Sequence, residues 1–426
     1  MNNAASGVPW HSLVIWVVAL ASIALVLIRP KGLPEAWWAA LGAFVLVVCR
    51  VMTPRAAMQA VGKGLDVYLF LIGMMIMSEL ARREGVFDWV AGHAVRASRG
   101  SRTRLFVLIY SVGIVVTTFL SNDATAVVLT PAVLAAVRAA EAELLPYLLI
   151  CAFIANAASF VLPISNPANL VVYGHNLPPL GAWLLTFGLP SVASILVTFV
   201  VLRWRSGKYL KGTVTTNVDG QPLSRTGKTT LYGIAFLAAV LMTASALRLD
   251  LGAPACLAGL LVAAMVSLRD HRTPRDIGKE IAWSVIPLVA GLFVIVEALN
   301  SAGALAAAVA VLRNMRTWPS VSSAFVSAFG VAFISNVMNN LPSGLISGTA
   351  VQAAGVTSVI RHSVLIGVDL GPNLSVGGSL ATILWLIAAR REGQEIGFWK
   401  FLKWGALVMP PALMLAVAAV LLSGRP

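Results

Sequence analysis

Phe119-Leu120-Ser121-Asn122-Asp123-Ala124-Thr125 sets hydrogen-bonding side chains and a carboxylate inside some of the most apolar sequence of this chain. A second polar stretch, Phe333-Ile334-Ser335-Asn336-Val337-Met338-Asn339-Asn340-Leu341-Pro342, opens with the same Phe-x-Ser-Asn pattern, its Ser335 lying 214 residues after Ser121. Polar interruptions duplicated inside apolar segments predict two halves of one transport site in a membrane-embedded chain.

The surrounding composition agrees. Over 426 residues, 58% are hydrophobic, 11% are charged and the mean hydropathy is +0.86, far more apolar sequence than a soluble core of this length needs. The 31 basic against 17 acidic residues do not point to nucleic acid, because Lys and Arg lie in short runs between apolar spans, where membrane topology accounts for them. Trp10 to Ile28 is too long, and too poorly followed by a cleavage site, for a removed signal peptide and is expected to be the first span. Cys49, Cys151 and Cys256 are widely spaced in apolar runs, so neither a disulfide framework nor a metal pair is expected, only packing cysteines.

A span of about 20 apolar residues is the ruler for the rest of the chain. It gives Trp37 to Val51 and Leu65 to Leu80, then a short amphipathic piece, Val86 to Ala97, that lies at the surface. Arg104 to Val137 is too long for one span and is interrupted by the first polar stretch. Leu144 to Tyr173 is broken at Ser159 to Asn169 by two prolines and several polar side chains, tolerable only where protein or a watery cavity satisfies the freed backbone. Gly181 to Leu202 closes a first half, residues 1–202; 203–228 form a basic linker on the cytoplasmic side; 229–426 form the second half. The linker's Gly227-Lys228-Thr229 is not a phosphate loop, since Pro222 stands where the first glycine is required.

The second half repeats the plan. Thr230 to Leu247, Pro254 to Leu268 and Ile281 to Leu299 are spans; Ala304 to Leu312 is short; Ser320 to Ala354 is interrupted. His362 to Ala389 is broken at Asp369 to Ser379, and Phe398 to Leu422 ends the series. Glu79 precedes Gly85 by six residues, as Glu297 precedes Gly303. If both interrupted segments are re-entrant hairpins, the basic residues divide 23 to one face and 8 to the other; if both cross, the division is 16 to 15. Only the first obeys the positive-inside rule. The fold expected is therefore an all-α polytopic membrane protein: ten transmembrane helices plus two re-entrant hairpins in two inverted repeats, with broken helices at the midplane and both termini outside.

Ser121, Asn122, Asn166, Asn169, Ser335, Asn336, Asn339, Asn340 and Asn373 add donors and acceptors to open helix ends and are the candidates for binding a small polar solute. Asp123 and Asp369, the carboxylates deepest in apolar sequence, must be either protonated or closely partnered there, and are the candidates for carrying a proton. Glu79 and Glu297 read as interfacial structural acids, and His93, His175, His271 and His362 as surface or interfacial groups with no metal-ligand spacing. No catalytic constellation, metal or other cofactor is expected.

Four motifs carry a resemblance that covers essentially the whole chain. Ser121-Asn122-Asp123-Ala124-Thr125 through Pro131, Ile164-Ser165-Asn166-Pro167-Ala168-Asn169-Leu170, Asn339-Asn340-Leu341-Pro342, and Gly371-Pro372-Asn373-Leu374-Ser375 through Gly378-Ser379-Leu380-Ala381-Thr382 resemble the arsenical pump membrane protein family of the ion transporter superfamily. The resemblance implies efflux of arsenite and antimonite across a bacterial inner membrane, driven by protons, and leaves room for a separate soluble arsenite-stimulated ATPase as partner. Dicarboxylate symporters, which are relatives, carry Ser-Asn-Thr at their hairpin tips. Here the tips read as Ser121-Asn122-Asp123 and Ser335-Asn336-Val337, and a carboxylate suits a neutral or cationic solute better than a dicarboxylate. Cys151, in the span leading to the first break, stays open as a single thiolate contact, whereas three-thiolate capture is excluded by the spacing. The alternatives are a sodium/proton antiporter or an anion transporter of the same fold, and the membrane subunit of an ATP-driven pump. Oligomeric state is not legible in these residues.

Overall fold

A computed structural model describes residues 10–28, 30, 33–216, 222–270, 278–279, 281–391 and 393–423. His271 and part of the expected linker lie outside the described residues, as does the side chain of His175. The described chain is helical, its one extended pairing an isolated bridge between Ser101 and Thr213.

The first half runs through α1 (Trp10–Ile28), α2 (Glu35–Val48), α3 (Pro54–Lys63), α4 (Leu65–Arg83), α5 (Val86–Ala97), α6 (Arg102–Phe119), α7 (Thr130–Ala139), α8 (Leu144–Ala157), α9 (Pro167–Tyr173) and α10 (Leu180–Ser206). The second contains α11 (Arg225–Ala246), α12 (Gly252–Asp270), α13 (Val285–Ser301), α14 (Ala304–Met315), α15 (Ser320–Met338), α16 (Asn340–Ala354), α17 (Ser358–Leu370), α18 (Leu380–Arg391) and α19 (Phe398–Ser423). Length and hydropathy alone pass α6, α10, α11, α12, α15 and α19 as spans, together with two bent pairs, α3–α4 and α13–α14, that turn by 51° and 72°.

Two of those six helices do not cross alone. Behind α6 the chain turns back at Leu120–Ser121, and the Thr117 hydroxyl meets that of Thr125 at 2.8 Å. Behind α15 it turns back at Asn339, and Ser335 donates to Ser343 at 3.0 Å. In each case a hydroxyl pair eight residues apart pins the returning arm to the incoming one. The expected hairpins are therefore present, with one correction of register. Ser335 and Asn336 are not the tip of the second hairpin but the last turns of its first arm, and Asn339–Asn340 is the tip. Thr117 then matches Ser335, and Ser121 matches Asn339, at a spacing of 218 residues, as Glu79 matches Glu297. The shared Phe-x-Ser-Asn pattern had aligned the halves one helical turn out of step.

The same spacing governs the packing. Helix α4 lies against α12 as α13 lies against α2, and α5 packs on α7 as α14 packs on α16. At the first crossing a Cβ on Gly73 would collide with the Ala255 carbonyl; at the second, one on Gly291 would come within 2.8 Å of the Ala39 carbonyl oxygen. Backbones in lipid approach this closely only where one side chain is a hydrogen atom. Gly73→Val is expected to destabilise the detergent-solubilised protein by about 3 kcal/mol, read as a lowered melting temperature, whereas Gly62→Val, where a Cβ meets open space, is expected to leave it unchanged.

The surface helix α5 has the expected bounds, and Gly85 before it and Gly303 before α14 both take positive φ, 67° and 93°. The linker grips the base of the first hairpin: the Arg102 guanidinium donates to the carbonyls of Tyr209, Lys211 and Thr213, and the Thr215 N–H to that of Ala140. Gly227 sits in the first turn of α11, its N–H capped by the Ser224 hydroxyl. Of the three cysteines only Cys151 is fully buried; Cys49 is exposed at the end of α2 and Cys256 is half-buried, against the expectation of three packing residues.

Candidate transport site

The first tip is built by local chemistry. Ser121 caps the returning arm, its hydroxyl accepting from the Ala124 N–H at 3.2 Å. The arm then opens into a turn of π-helix, Thr125–Leu129; Pro131 has no N–H to offer the Val127 carbonyl four residues earlier, and the Thr130 hydroxyl donates to the Thr125 carbonyl at 3.1 Å. At the second tip Asn339 takes φ = 76°, which Asn tolerates better than most residues, and its Oδ1 caps the Leu341 N–H.

The two breaks satisfy their freed carbonyls with side chains. Between α8 and α9, Asn169 Nδ2 donates to the carbonyls of Ser159, Leu162 and Pro163, Trp183 to Phe160, and Ser194 to Ala157. Ser165 joins this break to the first hairpin by donating to the Thr118 carbonyl. Between α17 and α18, Asn336 Nδ2 donates to Gly371 and Asn339 Nδ2 to Gly377. The breaks also meet each other. Asn166 Nδ2 donates to Asp369 Oδ1 at 2.8 Å, Asn156 Nδ2 to Asn373 Oδ1 at 3.0 Å, and Asn373 Nδ2 to the Phe153 carbonyl at 3.1 Å. Asp369 Oδ2 is buried with no hydrogen-bond partner among the described residues, beside a Ser159 hydroxyl that donates to the Asn156 carbonyl.

These bonds sort the candidates. The amide nitrogens of Asn166, Asn169, Asn336, Asn339 and Asn373 are spent on holding the breaks together, and Ser335 on closing its hairpin. Asn156, absent from the sequence candidates because it lies before the break in an unbroken apolar run, belongs to this scaffold. Asn122 and Asn340 differ. Each directly follows its tip residue and is 2% exposed; among the described residues each has an Oδ1 buried with no hydrogen-bond partner, as Asn156 and Asn169 also have, but unlike them it spends no amide nitrogen on the scaffold. They are 218 residues apart and therefore equivalent.

Asp123, next to Asn122, is half-buried and makes no hydrogen bond or ion pair among the described residues. It opens into a cavity of about 110 Å³ together with Ser121, Met74, Met75, Ser78 and Glu79. Glu79 is held bidentately by Arg82, at 2.6 and 3.0 Å, and its equivalent Glu297 pairs with Lys63 at 2.8 Å, so both are neutralised structural acids. The residue equivalent to Asp123 in the second hairpin is Leu341. Cys151 is fully buried against Thr130 and does not line the cavity. His93 is bonded to its own helix and to Arg96, and His362 packs edge-on against Phe187. Among the described residues no cluster of His, Cys, Asp or Glu could hold a metal.

Paired hairpins, crossed broken helices and an apolar exterior with buried polar tips define a multi-pass membrane transporter rather than an enzyme. The chain belongs to the citrate transporter (CitMHS) family, whose model matches residues 13–369. It is 27% identical to the arsenical pump membrane protein of Escherichia coli K12 over 429 residues, covering 95% of this chain and 97% of that one. The arsenical pump membrane protein of Yersinia enterocolitica is 25% identical at the same coverage, as is an uncharacterized transporter of Mycobacterium tuberculosis. The YdaH transporter of Alcanivorax borkumensis, described as having an unusual topology, shares the fold with a TM-score of 0.56 and 15% identity over 98% of both chains.

Proposed function

We propose that this transporter exports trivalent metalloid hydroxides, arsenite and antimonite, across the bacterial inner membrane in exchange for protons. The observation that carries the reading is the equivalent pair Asn122 and Asn340, whose buried carbonyl oxygens lack donors at the two hairpin tips. A buried acceptor without a donor costs roughly 1–3 kcal/mol, which a solute rich in O–H groups relieves. Uncharged arsenite is a trihydroxide and supplies three such donors. Two relatives of full length carry arsenical-pump names, which supports the same solute.

Asp123 supplies the exchange. Ionised, it accepts a hydrogen bond from a solute hydroxyl; protonated, it has lost its charge and much of that acceptor strength. Solute binding from the cytoplasm therefore favours release of the Asp123 proton to the cytoplasm. Protonation from the far side weakens the hold on the solute and lets it leave outward, and the empty site returns carrying the proton. One proton moves in for each solute moved out. The two halves, 1–202 and 229–426, are the moving parts we assign to this cycle.

Everted vesicles test it: arsenite is expected to accumulate under an inside-acid gradient and to leak away when a protonophore is added. Sodium-driven accumulation with no response to pH would overturn the coupling. The family description favours an anion transporter as the second reading; citrate uptake with no arsenite uptake would establish it. Resistance conferred in cells lacking any arsenite-stimulated ATPase would exclude an obligatory ATP-driven partner.

A further inference from the structure

Helix α18 stands between two cavities of opposite character. Ile383, Leu386, Ile387 and Arg390 follow the i, i+3, i+4, i+7 spacing of one helical face and, with Arg391, line a cavity of about 800 Å³. Its floor carries Asn336 and Ser375, the Ser375 hydroxyl donating to Asn336 Oδ1 at 2.6 Å. Leu384, turned away from that face, lines instead the 110 Å³ cavity of Asp123. The charged side chains lining the large cavity are both arginines, and both are exposed; of the two carboxylates lining the small one, Glu79 is neutralised by Arg82, and the charge of the small cavity is carried by Asp123, which makes no ion pair among the described residues. In the topology expected from the distribution of basic residues, the ends of α18 and α4 that carry Arg390, Arg391 and Arg82 lie on the cytoplasmic side, which assigns both mouths to the cytoplasm.

A concave site with charges of one sign and low-dielectric walls raises the local concentration of the opposite sign and depletes its own. The two exposed arginines hydrate the rim of the large cavity, and the Asn336 and Ser375 side chains, bonded to each other, give its floor a polar surface. We propose that the transporter has two separate cytoplasmic mouths. A wide electropositive vestibule admits neutral and anionic small oxyacids to the second hairpin and turns away cations, while a narrow carboxylate-lined passage serves protons at Asp123. Ser375, outside the sequence candidates, then meets the solute first, since a solute hydroxyl can replace its own on Asn336. The identity of the solute rests on the function proposed above; the opposite charge of the mouths does not.

Thiol labelling of everted vesicles decides it. In a Cys49→Ser, Cys256→Ser background, Ile387→Cys and Val127→Cys place one accessible thiol in each cavity, with Leu386→Cys in reserve for the first. Anionic and cationic methanethiosulfonates are compared, each rate divided by that for a free thiol. The anionic reagent is expected to be favoured roughly tenfold at Ile387→Cys and the cationic one at Val127→Cys. Arg390→Gln with Arg391→Gln is expected to abolish the first preference and leave the second. Equal ratios at the two positions would overturn the proposal, as would an Ile387→Cys thiol that reacts only in detergent, the mark of a lipid-filled crevice. Complete labelling of Ile387→Cys is expected to stop arsenite uptake, and uptake that survives would remove the vestibule from the solute path. Unlabelled vesicles that take up no arsenite would remove the arsenite reading, while the labelling ratios would still decide the two mouths.

Discussion

Vesicles carrying Asp123→Asn are expected to show no uphill arsenite accumulation, whatever the pH gradient. One proton exchanged per solute transfers about 1.4 kcal/mol for each pH unit, enough for roughly tenfold accumulation in the native protein, and the variant is expected to reach only a ratio of about one. The substitution is close to isosteric, and among the described residues Asp123 holds no hydrogen bond or ion pair that the fold would lose. A melting temperature close to native should therefore accompany the loss. Counterflow of labelled arsenite, which needs no net proton movement, is expected to survive at reduced rate. Accumulation that persists in Asp123→Asn would move the coupling elsewhere, with Asp369 the next carboxylate to examine.

For Asp369 the opposite split is expected. Asp369→Ala leaves the Asn166 amide without its acceptor at the crossing of the two broken helices, in a site with no exposure to solvent. The cost is about 3 kcal/mol, the combined loss of a buried hydrogen bond and of side-chain volume, and it should appear as a melting temperature lowered by several degrees with transport reduced in proportion. Asp369→Asn keeps an oxygen for Asn166 and is expected to melt near the native temperature and to retain gradient-driven uptake. A stable Asp369→Asn protein whose uptake ignores the gradient would return Asp369 to the proton path that its depth in the sequence suggested.

Much of the architecture was legible because membranes restrict the choices. Apolar length, the positions of Lys and Arg, and prolines inside apolar runs located the spans, the surface helix Val86–Ala97 and the breaks within a few residues. Hydropathy alone would have counted α6 and α15 as crossings; the distribution of basic residues marked them as hairpin arms. Which polar residues remain open to a solute was not legible. Asn122 and Asn169 look alike in the sequence, and among the described residues both keep a buried oxygen without a donor, yet the Asn169 amide nitrogen is spent on three carbonyls freed by the break while that of Asn122 is spent on none. The Phe-x-Ser-Asn pattern, three fixed residues over four positions, was also too short to set the register of the repeat. The hydroxyl pairs Thr117–Thr125 and Ser335–Ser343 show that Ser121 answers to Asn339 and Asp123 to Leu341.

Hydropathy, charge placement and prolines already specified a duplicated, membrane-spanning helical chain with polar interruptions and one acid at a hairpin tip, because burying backbone in lipid leaves few solutions and each leaves its mark on hydropathy and charge. Packing set which amides are spent on the scaffold, that Asn156 and Asn373 tie the two breaks together, and that different faces of one helix line an arginine-rimmed vestibule and the cavity of Asp123. Those outcomes depend on which donors and acceptors meet across 200 or more residues of chain, and pairing over such separations is set by packing rather than by any local pattern of residues.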